Sequence, residues 1–125
     1  MKKTINTPNA PAPIGPYSQA VLANGFLYIS GQIAIDPDTE ELVLTGIKAE
    51  TKQVMENIKA ILNEAGMNFD NVVKCSIFIS DMDNFGQINE VYGSYFTENF
   101  PARETVEVAG LPKRVNVEIS VIANK

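Results

Sequence analysis

One stretch near the end of the chain decides the fold: Val115-Asn-Val-Glu118-Ile-Ser-Val-Ile122. Apolar and polar side chains alternate along it, and Ile122 is the one apolar residue on the polar side. Successive side chains of a β-strand point to opposite faces of the sheet, so this period of two predicts a strand with one buried face. Glu118 is the single carboxylate of the stretch and falls on the polar face.

The segment just before it alternates in the same way. Arg103, Thr105 and Glu107 are expected on one face of a strand over 105–108 and its approach, and Val106 and Val108 on the other. Ala109-Gly-Leu-Pro112 then forms a turn between this strand and the strand over 115–122.

The remaining elements follow from periodicity and turn signals. Asn24-Gly25 predicts a hairpin turn, and Gly66 lies where a helix ends. Asp83 is the expected N-cap of the second helix. Between residues 7 and 16 the prolines discourage a helix and predict an irregular segment. The predicted elements are strands over 19–23, 26–30 and 72–79, the last with Val73, Cys75, Ile77 and Ile79 on one face, and helices over 48–65 and 84–98.

Two helices can cover only one face of such a sheet, and the face that carries the valines is the apolar one. Arg103 and Glu118 are therefore both expected on the uncovered face, on neighbouring strands. The uncovered face must meet water or another subunit, and its mixed polarity favours a polar pocket shared between chains.

Composition limits the classes of function. The 125 residues, 45% hydrophobic, fit one domain over 1–125. The absence of histidine excludes His-based catalytic systems and the usual zinc sites. One cysteine suits a reducing compartment, and neither a signal peptide nor a membrane span is recognisable, so a cytoplasmic location and no membrane partner are expected. A net charge of −5 without a basic stretch argues against nucleic acid.

Arg103 and Glu118 are the candidate chemical groups. A planar guanidinium binds a carboxylate through two parallel hydrogen bonds, which suits an acidic small molecule, although Arg103 could instead pair with Glu107. A glutamate within an apolar strand either pairs with a cation, here Arg103 or Lys113, or activates a water molecule. A nearby arginine would keep such a carboxylate ionised.

Several other residues have a functional and a structural interpretation. Tyr17 follows Gly15-Pro16 and could line a pocket or pack at an edge, and Gly31 in Ser30-Gly31 indicates a bulge or a close backbone approach. Asn89 lies off the apolar stripe of its helix and could reach a pocket or face solvent. Cys75 is expected to be a buried thiol. Tyr92, Tyr95 and Phe96 lie at helical spacing and are expected in the core.

The whole chain resembles the reactive intermediate deaminase A family (RidA, YjgF). The resemblance rests on Ile14-Gly-Pro-Tyr-Ser-Gln-Ala20, Ile29-Ser-Gly-Gln-Ile33, Phe100-Pro-Ala-Arg103, Val106-Glu-Val108, Leu111-Pro112 and Val117-Glu-Ile119. It implies an α+β, chorismate-mutase-like fold of the bacillus type, with a mixed sheet, two helices on one face, and a trimer around a central β-barrel.

The resemblance also implies a function. Members hydrolyse reactive 2-imino acids, such as 2-iminobutanoate and 2-iminopropanoate, to 2-keto acids and ammonium, without a metal or organic cofactor, and so protect PLP enzymes. By position, Arg103 would bind the substrate carboxylate and Glu118 would position the attacking water, in sites between subunits of a homotrimer. The other family pocket positions fall on Tyr17, Ser30, Gly31, Asn89 and Thr105.

Two departures and two rival functions accompany this expectation. Many members have a cysteine where this chain has Thr105, and Ser120 often has a glutamate counterpart; activity is expected to survive both changes.

The rivals are a regulatory protein that binds 2-keto acids without turnover and an RNA-cleaving translation inhibitor, the latter disfavoured by the acidic charge.

Overall fold

A computed structural model describes all residues, 1–125, as six strands and two helices. The strands form one mixed sheet in the order β1-β2-β3-β6-β4-β5, in which only the pair β4–β5 is parallel. The bounds are β1 Lys3–Ile5, β2 Ala20–Ala23, β3 Phe26–Gln32, α1 Ile47–Glu64, β4 Val72–Ile79, α2 Phe85–Gly93, β5 Ala102–Glu107 and β6 Val117–Asn124.

The strand predicted as decisive lies in the middle of the sheet. β6 pairs with both β3 and β4, and its residues alternate strictly between buried and half-buried. Its apolar face packs beneath α1, whose apolar stripe provides the largest part of the core. The core-forming side chains of these two elements are Val54, Met55, Ile58, Ile61, Leu62, Val117, Ile119, Val121 and Ala123. The predicted mixed sheet with helices on one face is confirmed.

Glu50, in the first turn of α1, ties the helix to the beginning of β6. Its carboxylate is 1% exposed and accepts hydrogen bonds from the backbone N–H and side-chain amide of Asn116, both at 2.8 Å, and from the N–H of Val117 at 3.3 Å. Hydrogen bonds to a charged group contribute about 1.5–3 kcal/mol each, so this buried contact fixes the chain immediately before Glu118.

Gln19 fixes the irregular segment predicted over residues 7–16. Its buried side-chain amide accepts from the N–H of Thr7 and donates to the carbonyls of Thr7, Ala10 and Pro11. The segment therefore lies against the sheet although it has no helix or strand of its own. Sequence analysis missed β1, three residues whose pairing with β2 has no period long enough to recognise.

Three details of the predicted elements are wrong. A bulge between Val72 and Lys74 turns Val73 outward, 44% exposed, and buries Val72 with Cys75 instead. The second helix ends at Gly93 rather than at residue 98. Asp83 is not its N-cap: that position belongs to Asn84, which makes no side-chain cap, and a short 3₁₀ turn over 82–84 precedes the helix.

The largest correction concerns β5. It is not adjacent to β6, because β4 lies between them, and the segment over 109–112 is a crossing connection rather than a hairpin turn. Directly paired residues project from the same face of a sheet. Thr105 pairs with the buried Ile77, and Val106 pairs with Phe78 on the open face. The alternation in β5 is real, but its apolar residue faces away from the helices.

No helix of this fold combines the length and the apolarity that crossing a membrane requires.

Candidate active site

Arg103 and Glu118 lie on opposite faces of the sheet, which contradicts the expectation that both project from the open face. Arg103 pairs with Cys75 and Glu118 pairs with Phe78, and these two partners are three residues apart in β4. An odd spacing along a strand places side chains on opposite faces. Cys75 is buried beneath the helices, so Arg103 is on the helix side and Glu118 on the open side.

The surroundings of Glu118 form the first half of the site. A cavity of about 350 Å³ lies beside it on the open side of the sheet. Tyr17, Ser30 and Gly31 line this cavity together with Glu118. Its apolar wall, which sequence analysis did not single out, consists of Pro11, Ala12, Ile14, Ile33, Ile35 and Pro112.

Glu118 has no cationic partner within the chain. The structure contains two ion pairs, Lys48–Glu90 and Lys74–Glu104, and neither involves it. Of the two interpretations left open for Glu118, an ion pair with Arg103 or Lys113 of the same chain is therefore absent from the structure. Burial raises the pKa of Glu118 above its ordinary value, since a carboxylate loses hydration there without gaining a compensating charge.

Gly31 provides the space that the Glu118 carboxyl group occupies. The register between β3 and β6 shifts between Ile29 and Gln32, which confirms the predicted bulge. A methyl group placed on Gly31 would lie 2.8 Å from the carboxyl carbon of Glu118 and closer still to its Oε2. Any side chain at this position would displace the carboxylate.

Two hydrogen bonds hold the same end of the cavity in shape. The Ser30 hydroxyl donates to the carbonyl of Ser18 at 2.6 Å, and the Tyr17 hydroxyl accepts from the N–H of Ile14 at 3.3 Å. The Tyr17 side chain is 46% exposed, so it borders the cavity without being part of the core.

Arg103 is the centre of the second half of the site. Its Nη1 donates to Oδ1 of Asn89 at 2.7 Å, so this exposed asparagine is in contact with the arginine. The guanidinium carbon lies 5.5 Å from the ring centroid of Phe85 and 5.1 Å from that of Tyr92. It makes no ion pair, and Glu107, the alternative partner, instead accepts a hydrogen bond from the N–H of Met82. The remaining guanidinium donors are thus available to an anion.

Thr105 and Cys75 complete this region. Thr105 lies two residues from Arg103 on the same face, and its buried hydroxyl has no hydrogen-bond partner. Burial raises the pKa of the Cys75 thiol, as expected for a structural rather than a nucleophilic cysteine. Burial likewise raises the pKa of Tyr92, whose hydroxyl is also without a partner. No three His, Cys, Asp or Glu side chains are grouped so as to hold a metal ion.

Substituting Gly31 by alanine is expected to lower any turnover that depends on the Glu118 carboxylate by about 10²-fold with the fold intact, because a displacement of about 1 Å from the reacting atoms costs that much. Gly86→Ala is the matched control, since a methyl group there meets no atom within 4 Å. Steady-state kinetics together with circular dichroism would check this. Full activity of Gly31→Ala would show that the carboxylate does not need this position.

The fold and the two half-sites define a class of protein: a small mixed-sheet domain that offers a carboxylate on one face and an arginine on the other. The chain belongs to the family described as Endoribonuclease L-PSP, the RidA/YjgF family, whose model matches residues 7–125. The structure has the fold of that family.

Individual relatives support this assignment over the full length. RutC family protein PH0854 of Pyrococcus horikoshii is 55% identical over 125 residues, which cover 100% of this chain and 99% of the relative. The human 2-iminobutanoate/2-iminopropanoate deaminase is 46% identical, with 98% of this chain and 90% of the relative covered. The crystal structure of Escherichia coli TdcF with bound serine superposes with a TM-score of 0.94 at 39% identity, covering 98% of each chain.

Proposed function

We propose that the chain is a 2-iminobutanoate/2-iminopropanoate deaminase that acts as a cytoplasmic homotrimer. The observation that carries the proposal is the separation of two unpaired, oppositely charged groups on opposite faces of the sheet. The full-length similarity to a human protein of that name supports the reaction, and the serine-bound relative supports a small amino-acid-like ligand.

A second copy of the chain would bring an arginine and a glutamate to the same ligand. Within one chain Glu118 and Arg103 cannot contact the same ligand, whereas the open face next to Glu118 is free to receive another subunit. That face exposes apolar side chains to solvent, including Tyr28 at 47% and Val106 at 40%, and their burial in an assembly is favourable. Arg103 of the partner subunit would then complete the cavity beside Glu118, and cyclic repetition of the contact gives three equal sites.

The chemistry follows from this arrangement. Arg103 and Asn89 of one subunit hold the substrate carboxylate, so that the imine carbon faces the water bound by Glu118 of the other. Glu118 takes a proton from the water as its oxygen bonds to the imine carbon, and the C=N π electrons move to nitrogen. Glu118 returns this proton to the nitrogen, which completes the carbinolamine. It then takes the hydroxyl proton as the C=O bond forms and delivers it to the departing nitrogen, so that the C–N bond breaks, ammonia leaves and the 2-keto acid remains. Because imines hydrolyse readily, no stronger nucleophile is required.

A coupled assay with a PLP-dependent threonine or serine dehydratase tests the proposal. We expect the protein to accelerate loss of the imine above the rate in buffer, and to elute at three times the 13.7 kDa mass of one chain. Titration of 2-ketobutyrate in parallel separates the rivals: binding without acceleration indicates a regulatory protein. Cleavage of RNA together with an unaccelerated imine would favour the endoribonuclease named by the family model.

A further inference from the structure

Three side chains of α2 surround the guanidinium of Arg103. Phe85, Asn89 and Tyr92 are spaced four and three residues apart, so they share one face of the helix above β5. Asn89 supplies a hydrogen bond at 2.7 Å, and the two rings approach to 5.5 and 5.1 Å. No carboxylate takes part. The orientation of this arginine therefore depends on neutral groups, which do not compete with a substrate carboxylate for the same charge.

The two rings differ in how firmly they are held. Phe85 is half-buried at the first position of α2, whereas Tyr92 is 4% exposed and part of the core. Tyr92 also packs against Phe96, with ring centroids 5.0 Å apart. Tyr92 is therefore the buried contact surface, and Arg103, an exposed residue on an edge strand, lies against it.

The Tyr92 hydroxyl does not explain the presence of this residue. It lies beside the Cys75 thiol without a well-formed hydrogen bond, and no other group satisfies it. The feature that contacts the arginine is the ring face, whose negative electrostatic potential attracts the guanidinium. A long arginine side chain otherwise loses substantial rotamer freedom when it binds a ligand, and a ring that already restricts it reduces that loss.

We propose that Tyr92, through the face of its buried ring, is a positioning residue that holds the Arg103 guanidinium ready for the substrate carboxylate. This inference rests on the proposed function, in which Arg103 binds that carboxylate. Because the carboxylate is held equally in the ground state and the transition state, loss of the ring should raise KM and leave kcat unchanged.

The kinetic test compares three substitutions of Tyr92. Tyr92→Leu, and Tyr92→Met as a second apolar variant if leucine impairs folding, should raise the KM for 2-iminobutanoate about two- to thirtyfold at constant kcat, which is the range for the loss of one cation–π contact between exposed and desolvated settings. Tyr92→Phe keeps the ring and should retain the wild-type KM. A wild-type KM in the folded leucine or methionine variant, or a fall in kcat alone, would overturn the proposal.

A spectroscopic measurement separates this inference from the proposed function. The chain has two arginines, Arg103 and Arg114, so the Nε–H resonance of Arg103 can be assigned by its loss in Arg103→Ala. We expect that resonance to be shifted by the ring in the wild type and in Tyr92→Phe, and to move toward the free-arginine position in Tyr92→Leu. An unshifted wild-type resonance would refute the positioning role whether or not the protein hydrolyses imines. A shifted resonance in a protein without turnover or 2-ketobutyrate binding would instead count against the function alone.

Discussion

Arg103→Ala is expected to lower kcat/KM for 2-iminobutanoate by about 10²–10³-fold, with a normal thermal unfolding curve. The estimate follows from losing two charge-assisted hydrogen bonds to the carboxylate, about 3–4 kcal/mol together, at about 1.4 kcal/mol for each factor of ten. Stability should be preserved, because Arg103 is exposed and forms no ion pair in the chain.

Two further variants make this result interpretable. Arg103→Lys keeps the charge but loses the planar pair of donors, and it should recover only part of the rate. Lys52→Ala removes one exposed positive charge from α1 and should leave the rate unchanged. The measurement is the initial rate of imine loss in the coupled assay, corrected for hydrolysis in buffer. An alanine variant that retains full acceleration would eliminate Arg103 as the carboxylate anchor.

The fold could be predicted where the pattern was long. The alternation over 115–122 predicted a strand with one buried face, and the structure places that strand at the centre of the sheet. The apolar stripe of α1 was equally clear because 18 residues carry it. For the shorter α2, the predicted C-terminal end lies too far along the chain. Tyr95 and Phe96 continue the apolar spacing and pack on the core, although the helix has already ended.

Strand order and face could not be predicted for β5. Alternation shows that two sets of residues lie on opposite faces, but it does not say which face meets the helices. The rule that valines mark the covered side holds for β6 but fails for β5, an edge strand whose partner is β4. The register with β4 places Arg103 against α2 and leaves Val106 40% exposed. In the proposed trimer, a second subunit would cover this exposed valine.

The sequence therefore named residues that lie close together in the structure, but their arrangement on the two faces of the sheet was not predicted. Tyr17, Ser30, Gly31 and Glu118 share one cavity, and Arg103 lies with Asn89, yet the two groups are separated by the sheet. Phe85 and Tyr92 were missed because an aromatic stripe on a helix predicts core packing, which Tyr92 also provides. No pattern in the sequence shows that a core ring has its face against a charged side chain.

Glu118→Gln is expected to lower kcat by about 10²–10⁴-fold, the usual contribution of one general acid–base group. Glutamine keeps the shape that fits against Gly31 but cannot take a proton from water. Glu64→Gln, an exposed carboxylate at the end of α1, changes the net charge equally and should have no effect. The matched measurement is kcat in the coupled assay, with the fold checked by circular dichroism.

The pH dependence gives a second, independent signature of the same carboxylate. Glu118 must be ionised to accept the proton, so activity should fall as the pH decreases through its pKa. Burial within one chain raises that pKa above the value of an ordinary glutamate, about 4.3, and this carboxylate is expected to set the acidic limb of the kcat/KM profile. Arg103 of the partner subunit would lower it again in the assembled trimer, so the limb should move toward higher pH in Arg103→Ala wherever residual turnover can be measured. An acidic limb that persists unchanged in Glu118→Gln would assign the titration, and with it the role of the base, to another group.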